Sequence, residues 1–314
     1  MSRPEAQQSA IKMFHILDTQ HLGRPGIIAV TALETIDGIA LFDTGPESTF
    51  GNISIAMGAA GFSPNDVRQV FLSHIHLDHA GAAWRFAQLG ATIHVHERGA
   101  RHLLDPSRLM QSATRIFGRE MQRLWGEMRP IPQDKLRVTN DNVALRAGHF
   151  ELQSIATPGH ASHHNISHWE DNVFGGDIAG VRLDGGPPIP PFVPPELDIE
   201  SWCESIRRMR SLGASYLYLP HFGLIEGDLT GHFDALEERV RRWAGWFRDQ
   251  LRKGRGESEL VPDFARYEAA DILESGAPNE RLADYEQADP SFMAVTASIR
   301  YWQKYHPELL LGPR

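Results

Sequence analysis

Cysteine occurs once in the 314 residues, as Cys203, so no intrachain disulfide can form and the fold must rest on its core. No apolar run approaches the roughly 20 residues that a membrane-spanning helix needs. The opening stretch MSRPEAQQSAIKMF has no apolar centre, so no secretory signal is expected there. These absences together fit a reducing cytoplasm. Excess positive charge is missing too: the formal net charge is −9, which disfavours general nucleic-acid binding and leaves room only for a local basic patch. Repeats and low-complexity tracts are absent apart from the proline-rich stretch 184–195. No motif places a serine, cysteine or lysine as a nucleophile, and Cys203 falls in a helical pattern where packing is its expected role.

What remains is a chain of ordinary globular composition, 41% hydrophobic and 23% charged, long enough to bury its own core. Histidine is abundant: there are 16, concentrated at 74–102 and 149–168. Residues 26–43 read as two strands with a turn at Asp37-Gly38, followed by a helix over 47–60. Val67–Leu72 reads as a buried strand, with HIHLDH in the loop after it, a helix near 80–88 and a strand over 91–96. Residues 101–129 carry Arg108, Arg115, Arg119 and Arg123 at helical spacing, opposite Leu109, Ile116, Phe117 and Leu124. Strands are expected around 136–156 and 172–176. A stiff proline loop is expected at 184–195, then a helix capped by Asp198, then a last strand over 215–220. Beyond residue 228 the pattern is helical, over 231–253, 257–274 and 290–304. Sheet and helix therefore alternate in layers. The division is 1–228 as a catalytic unit and 229–314 as a C-terminal helical region.

The string HIHLDH places His74, His76, Asp78 and His79 within six positions. In extended chain, residues i and i+2 point the same way, so His74 and His76 can reach one ion while Asp78 and His79 turn toward a second. Imidazoles with a carboxylate suit zinc, and also iron or manganese. Further donors stand in loops after apolar runs: His160 in TPGH, Asp177 in GGD and His221 in LPH. Singly, each also reads as a surface or turn residue.

In this order, HIHLDH, TPGH, GGD and LPH resemble the metallo-β-lactamase superfamily over roughly residues 25–225. The resemblance implies a four-layer αββα sandwich with the site at the sheet edge. It implies two divalent ions, zinc before iron or manganese. One would be held by His74, His76 and His160, the other by Asp78, His79 and His221, with Asp177 bridging them. Asp43, in the DTG string, and His164 would support these ligands from behind. The activity implied is hydrolysis by a metal-bridging hydroxide that Asp78 orients.

A bridging carboxylate at Asp177 resembles glyoxalase II and lactonases rather than lactam-cleaving enzymes, which points to an ester, thioester or lactone. The lysine and tyrosine by which glyoxalase II holds its glutathione thioester are not recognised. Two alternatives share the motif: a phosphodiesterase or ribonuclease, served by the arginines of 101–129, and a persulfide dioxygenase with a single iron. Flavodiiron proteins are disfavoured, because their motif has glutamate where His76 stands. The expected partner is a small-molecule substrate, and seven tryptophans with a helical tail are compatible with a homodimer. The pocket walls should come from 101–129, the proline loop and the C-terminal helices. Replacing His76 or Asp177 with Ala should remove most bound metal and most activity; unchanged metal content and turnover in either variant contradicts the ligand set.

Overall fold

The computed structural model describes residues 13–310. The opening stretch considered above for a signal sequence lies outside them up to residue 12, as do the last residues of the helical tail. Six strands form one sheet in sequential order: β1 (Phe14–Asp18), β2 (Ala29–Thr35), β3 (Gly38–Phe42), β4 (Val67–Phe71), β5 (Thr92–His96) and β6 (Leu136–Thr139). The first three are antiparallel, and β3 through β6 run parallel. Between them lie α1 (Phe50–Ala59), the single turn α2 (Leu77–Ala80), α3 (Ala83–Gln88), α4 (Glu97–Leu104), α5 (Ser107–Phe117) and α6 (Met121–Trp125).

The second sheet also has six strands, in the order β12-β11-β10-β9-β8-β7. Its members are β7 (Val143–Ala147), β8 (Phe150–Ala156), β9 (Asn165–Trp169), β10 (Asn172–Phe174), β11 (Tyr216–Leu219) and β12 (Gly223–Glu226). The helix α7 (Ile199–Ser211) begins at Asp198, whose side chain accepts from the Ser201 amide at 2.9 Å. The C-terminal helices are α8 (Thr230–Arg252), α9 (Glu257–Glu274), α10 (Leu282–Ala288), α11 (Ser291–Tyr305) and the short α12 (Pro307–Leu310). Among the described residues no helix is long and apolar enough to cross a membrane.

Three apolar clusters define the layers. Leu33, Phe42 and Phe71 of the first sheet meet Phe150, Leu152, Phe174 and Tyr218 of the second, so the sheets pack face to face. The outer face of the first sheet is covered by α1 to α6 through Ile53, Met57, Trp84, Phe86 and Leu103. The outer face of the second is covered by α7 and the C-terminal helices through Trp202, Ile206, Leu236, Trp243 and Phe264. This is the αββα arrangement. Alternation along each strand sends one set of side chains between the sheets and the other beneath the helices.

Four local expectations need correction. The strand over 215–220 is not the last, because β12 returns antiparallel to it; GLIE is too short to announce itself as a strand. Strand β9 is not expected from its sequence, since the histidine-bearing NISHW lacks a clean alternation. Asp78 and His79 sit on the helical turn α2 rather than in open loop. The 101–129 helix is three pieces: it starts earlier, at Glu97, breaks at Asp105-Pro106 and again at Gly118, and ends at Gly126, both glycines taking positive φ.

Glu268 of α9 is buried, with Oε1 unpaired and Oε2 accepting from the Ser291 hydroxyl at 2.9 Å. Burial, opposed by that hydroxyl and reinforced by Glu286 and Asp271, pushes its carboxyl up to about 8 from 4.5. A group bound more tightly to its proton when folded stabilises most below its unfolded value and loses that contribution as pH rises through the folded one. Glu268→Gln should therefore be near neutral at about pH 5 and stabilising by roughly 1–3 kcal/mol at about pH 9, read from denaturant unfolding.

Candidate metal centre

Each donor found in the sequence follows the end of a strand. His74 and His76 come after β4, Asp78 and His79 on α2, His160 after β8, Asp177 after β10 and His221 after β11. The two sheets are stitched together at this edge. The Asn165 amide donates to the Ser73 carbonyl at 2.8 Å, the Asn165 side chain to the Leu72 carbonyl at 3.0 Å, and the Ala29 amide to the Pro220 carbonyl at 2.7 Å. Gly176 permits the closure. Its φ is +55°, and a Cβ there would lie 2.5 Å from His164 Nε2 and 2.7 Å from Ser73 Cβ.

The seven side chains converge in two groups that share one residue: His74, His76, His160 and Asp177 in one, and Asp78, His79, His221 and Asp177 in the other. In the first, His76 Nδ1 lies 2.9 Å from both His74 Nε2 and His160 Nε2. Asp177 Oδ2 faces this group, at 3.4 Å from His160 Nε2 and 3.8 Å from His74 Nε2. Asp177 Oδ1 faces the other, at 3.2 Å from His79 Nε2 and 3.6 Å from His221 Nε2. Asp78 Oδ2 completes that group at 3.4 Å from His79 and 3.5 Å from His221.

The outward nitrogens are fixed by acceptors. Asp43 Oδ2 holds His79 Nδ1 at 2.9 Å, the Pro191 carbonyl holds His160 Nδ1 at 2.8 Å, and the Ile27 carbonyl holds His221 Nδ1 at 2.9 Å. Ser73 Oγ lies 3.0 Å from His74 Nδ1 and donates to Asp43. These contacts fix Nδ1 as the outward-facing donor, so Nε2 of all four rings faces inward. His164 stands behind the site, with Nδ1 2.9 Å from the Thr157 hydroxyl and Nε2 accepting from the Ile178 amide at 3.4 Å. It steadies the turn that carries Asp177. Ser73, which joins Asp43 to His74, is missed by sequence reasoning, although its place directly before HIHLDH is a usable signal.

The donor set fits metal ions. His79 Nε2 and Asp177 Oδ1 are buried, lie 3.2 Å apart and form no hydrogen bond. A buried polar atom left so is costly unless a further partner satisfies it. The charge states agree. Burial, with the neighbouring imidazoles, holds His74 and His76 well below the usual histidine range, so they stand neutral as ligands must. Burial also opposes charge on His79 and His221, but Asp177 and Asp78 outweigh it and raise both. Against burial, the same histidines draw Asp78 and Asp177 down into the carboxylate form. The second group thus compensates its carboxylates with protons that a cation would displace.

His76, Asp78 and Asp177 open onto a cavity of about 740 Å³. Its walls come from α4 to α6, from Pro191 and Val193 to Glu196 in and just after the proline loop, from Asp289 and Pro290 between α10 and α11, and from Phe292 and Met293 of α11. His21, ahead of β2, stacks on Trp125 at 5.3 Å and closes one side. The segment 101–129 therefore lines the site, and the C-terminal helices reach it from the other layer.

A model of the metallo-beta-lactamase superfamily matches residues 23–221. The chain is 28% identical over 160 residues to the metallo-beta-lactamase fold-containing protein ST1585 of Sulfurisphaera tokodaii, a match spanning 50% of this chain and 60% of that relative. The crystal structure of ST1585, an archaeal metallo-beta-lactamase superfamily protein, superposes with a TM-score of 0.60 at 25% identity, covering 73% of this chain and 85% of that one. The family protein TTHA1429 of Thermus thermophilus superposes with a TM-score of 0.56 at 20% identity and covers 93% of both chains, a likeness of fold. Because Asp43 orients His79, Asp43→Asn should weaken metal binding by about 10–100-fold at the group containing His79 and less at the other, read by metal titration.

Proposed function

The chain belongs to the metallo-beta-lactamase superfamily, whose members are generally hydrolytic metalloenzymes, and from that premise we propose that it hydrolyses an ester, thioester or lactone. The observation that carries this reading is Asp177, which turns one oxygen to each of two buried donor groups. His74, His76 and His160 would hold one divalent ion and Asp78, His79 and His221 the other, with Asp177 between them. A divalent pair, when bound, supplies water ionised near neutrality and polarisation of the carbonyl under attack. Zinc is the first candidate for such nitrogen-rich sets, with iron and manganese next.

The chain's own groups do the rest. Asp78 is half-buried at the cavity floor, where its carboxylate accepts a hydrogen bond from the attacking water and orients it. The buried rings of His74, His79, His160 and His221, each held at Nδ1, cannot swing away during turnover. Nucleophilic side chains are not required: burial pushes the Cys203 thiol up to about 11, and it packs into the core from the buried side of α7.

Metal quantification followed by a substrate panel tests the proposal. Two divalent ions per chain and turnover of lactone, thioester or aryl ester are expected, with phosphodiester cleavage negligible. One iron per chain with oxygen consumption, or phosphodiester cleavage as the dominant activity, overturns it.

A further inference from the structure

The cavity above Asp78 and Asp177 has walls of two chemical kinds. Leu109, Phe117, Phe292 and Met293 give it an apolar surface. Arg98 and Arg101 of α4 and Arg108 of α5 line the same space. Among the described residues, none of these three guanidinium groups has a carboxylate within 4.0 Å, the distance that defines the ion pairs elsewhere in the chain. Guanidinium groups outside the cavity are commonly paired, as in Arg239 with Asp271 at 2.8 Å and Arg281 with Asp284 at 2.9 Å. Arg85 likewise pairs with Glu47.

Two carboxylates line this part of the cavity without neutralising it. Glu196 Oε2 accepts from the Ser162 amide at 2.9 Å and faces His163 at 4.0 Å. Glu97 turns toward the side-chain amide of Asn140. His102 adds no acid, and Arg101 Nε donates to its Nε2 at 3.1 Å. That contact requires a neutral ring, and burial, with Arg101 and Arg108 beside it, lowers the His102 pKa.

Arg98 and Arg101 are three apart on one helix, so two like charges stand side by side where each raises the energy of the other. In a chain of net charge −9, three exposed arginines that line one cavity without carboxylate partners form a local field of opposite sign. Guanidinium presents a planar fork of donors matched to carboxylate or phosphate oxygens. A nucleic-acid track would continue along the surface, but Arg123 is paired with Glu120 at 2.7 Å, and the neighbouring cavity wall is apolar.

We propose that Arg98, Arg101 and Arg108 dock an anionic group of the substrate, carboxylate or phosphate, carried on an apolar body that lies along Leu109, Phe117 and Phe292. The anion is remote from the scissile bond, which lies at Asp78 and Asp177. This rests on the hydrolase reading above and names its substrate class: an amphiphilic ester, thioester or lactone bearing a negative charge.

Calorimetric titration of the full chain as purified, metal included, tests it with octanoate, octyl phosphate and octanamide. The wild-type protein should bind at least one anion roughly tenfold more tightly than the neutral amide, and added salt should erode the difference. A tighter fit of octanoate or of octyl phosphate distinguishes the two anions. Arg98→Ala with Arg101→Ala, and separately Arg108→Ala, should each reduce that preference several-fold, with octanamide binding and the unfolding midpoint unchanged. Lysine at these positions should restore part of it. In turnover, the alanine variants should raise KM for esters with a terminal carboxylate at nearly constant kcat, and leave neutral esters alone. Equal binding of anion and amide by the wild type, or an undiminished preference in the alanine variants, overturns the proposal. If the anion preference holds but no ester, thioester or lactone is turned over, the hydrolase reading fails and the anion site stands. If neutral esters are cleaved and no anion preference exists, the reverse applies.

Discussion

Seven ligand-type side chains, five of them buried, crowd into one small volume at the base of the cavity, and every other part of the molecule answers to that crowding. Left alone, the cluster would scatter, because each imidazole disfavours charge on the next and each carboxylate is costly to bury unpaired. It holds because the outer nitrogens of four rings are tied to groups that cannot move: the Pro191 and Ile27 carbonyls, the Ser73 hydroxyl and the Asp43 carboxylate. The inner faces are thereby fixed in one tautomer and left to share Asp177.

Those anchors belong to different layers, which is why the site needs the whole sandwich. Pro191 sits on the proline loop, and that loop is itself held from below. Buried Arg239 of α8 donates to the Pro188 carbonyl at 2.6 Å while paired with Asp271 of α9. Trp243 donates to the same carboxylate at 2.8 Å. The C-terminal helices thus reach His160 through Arg239 and the proline loop, as well as lining the cavity through Asp289 and Phe292. Their apolar residues merge with those beneath the second sheet into one cluster, so they share a core with the layers that carry the candidate ligands.

The cavity reconciles two features of the surface that otherwise look unrelated. The chain is acidic overall, yet the exposed Arg98, Arg101 and Arg108, without carboxylate partners among the described residues, line the cavity that opens on the candidate metal centre. Acidic exterior and basic pocket wall favour solubility and the entry of small anions over binding of extended polyanions.

Much of this was legible along the chain. HIHLDH, TPGH, GGD and LPH stand at strand ends because loops after buried runs are where polar donors can gather, and their order marks the family. The helix begun by Asp198, the strands of the first sheet other than β1 and the helical tail were readable from caps and periodicity. What sequence could not decide depends on neighbours distant in the chain. Strands β9 and β12 exist because partners supply their hydrogen bonds, against weak local patterns. Ser73 matters only because folding sets it beside Asp43, 30 positions away. In the sequence the arginines of 101–129, Arg101 and Arg108 among them, read first as the solvated side of a helix, and Arg98 does not stand out. Their surroundings are set by the packing of α4 and α5 over the metal centre, since a charge acquires meaning from what it faces. The residue types that can bind metal are thus written in the primary structure. The space above them, and the sign of its field, are products of tertiary contact.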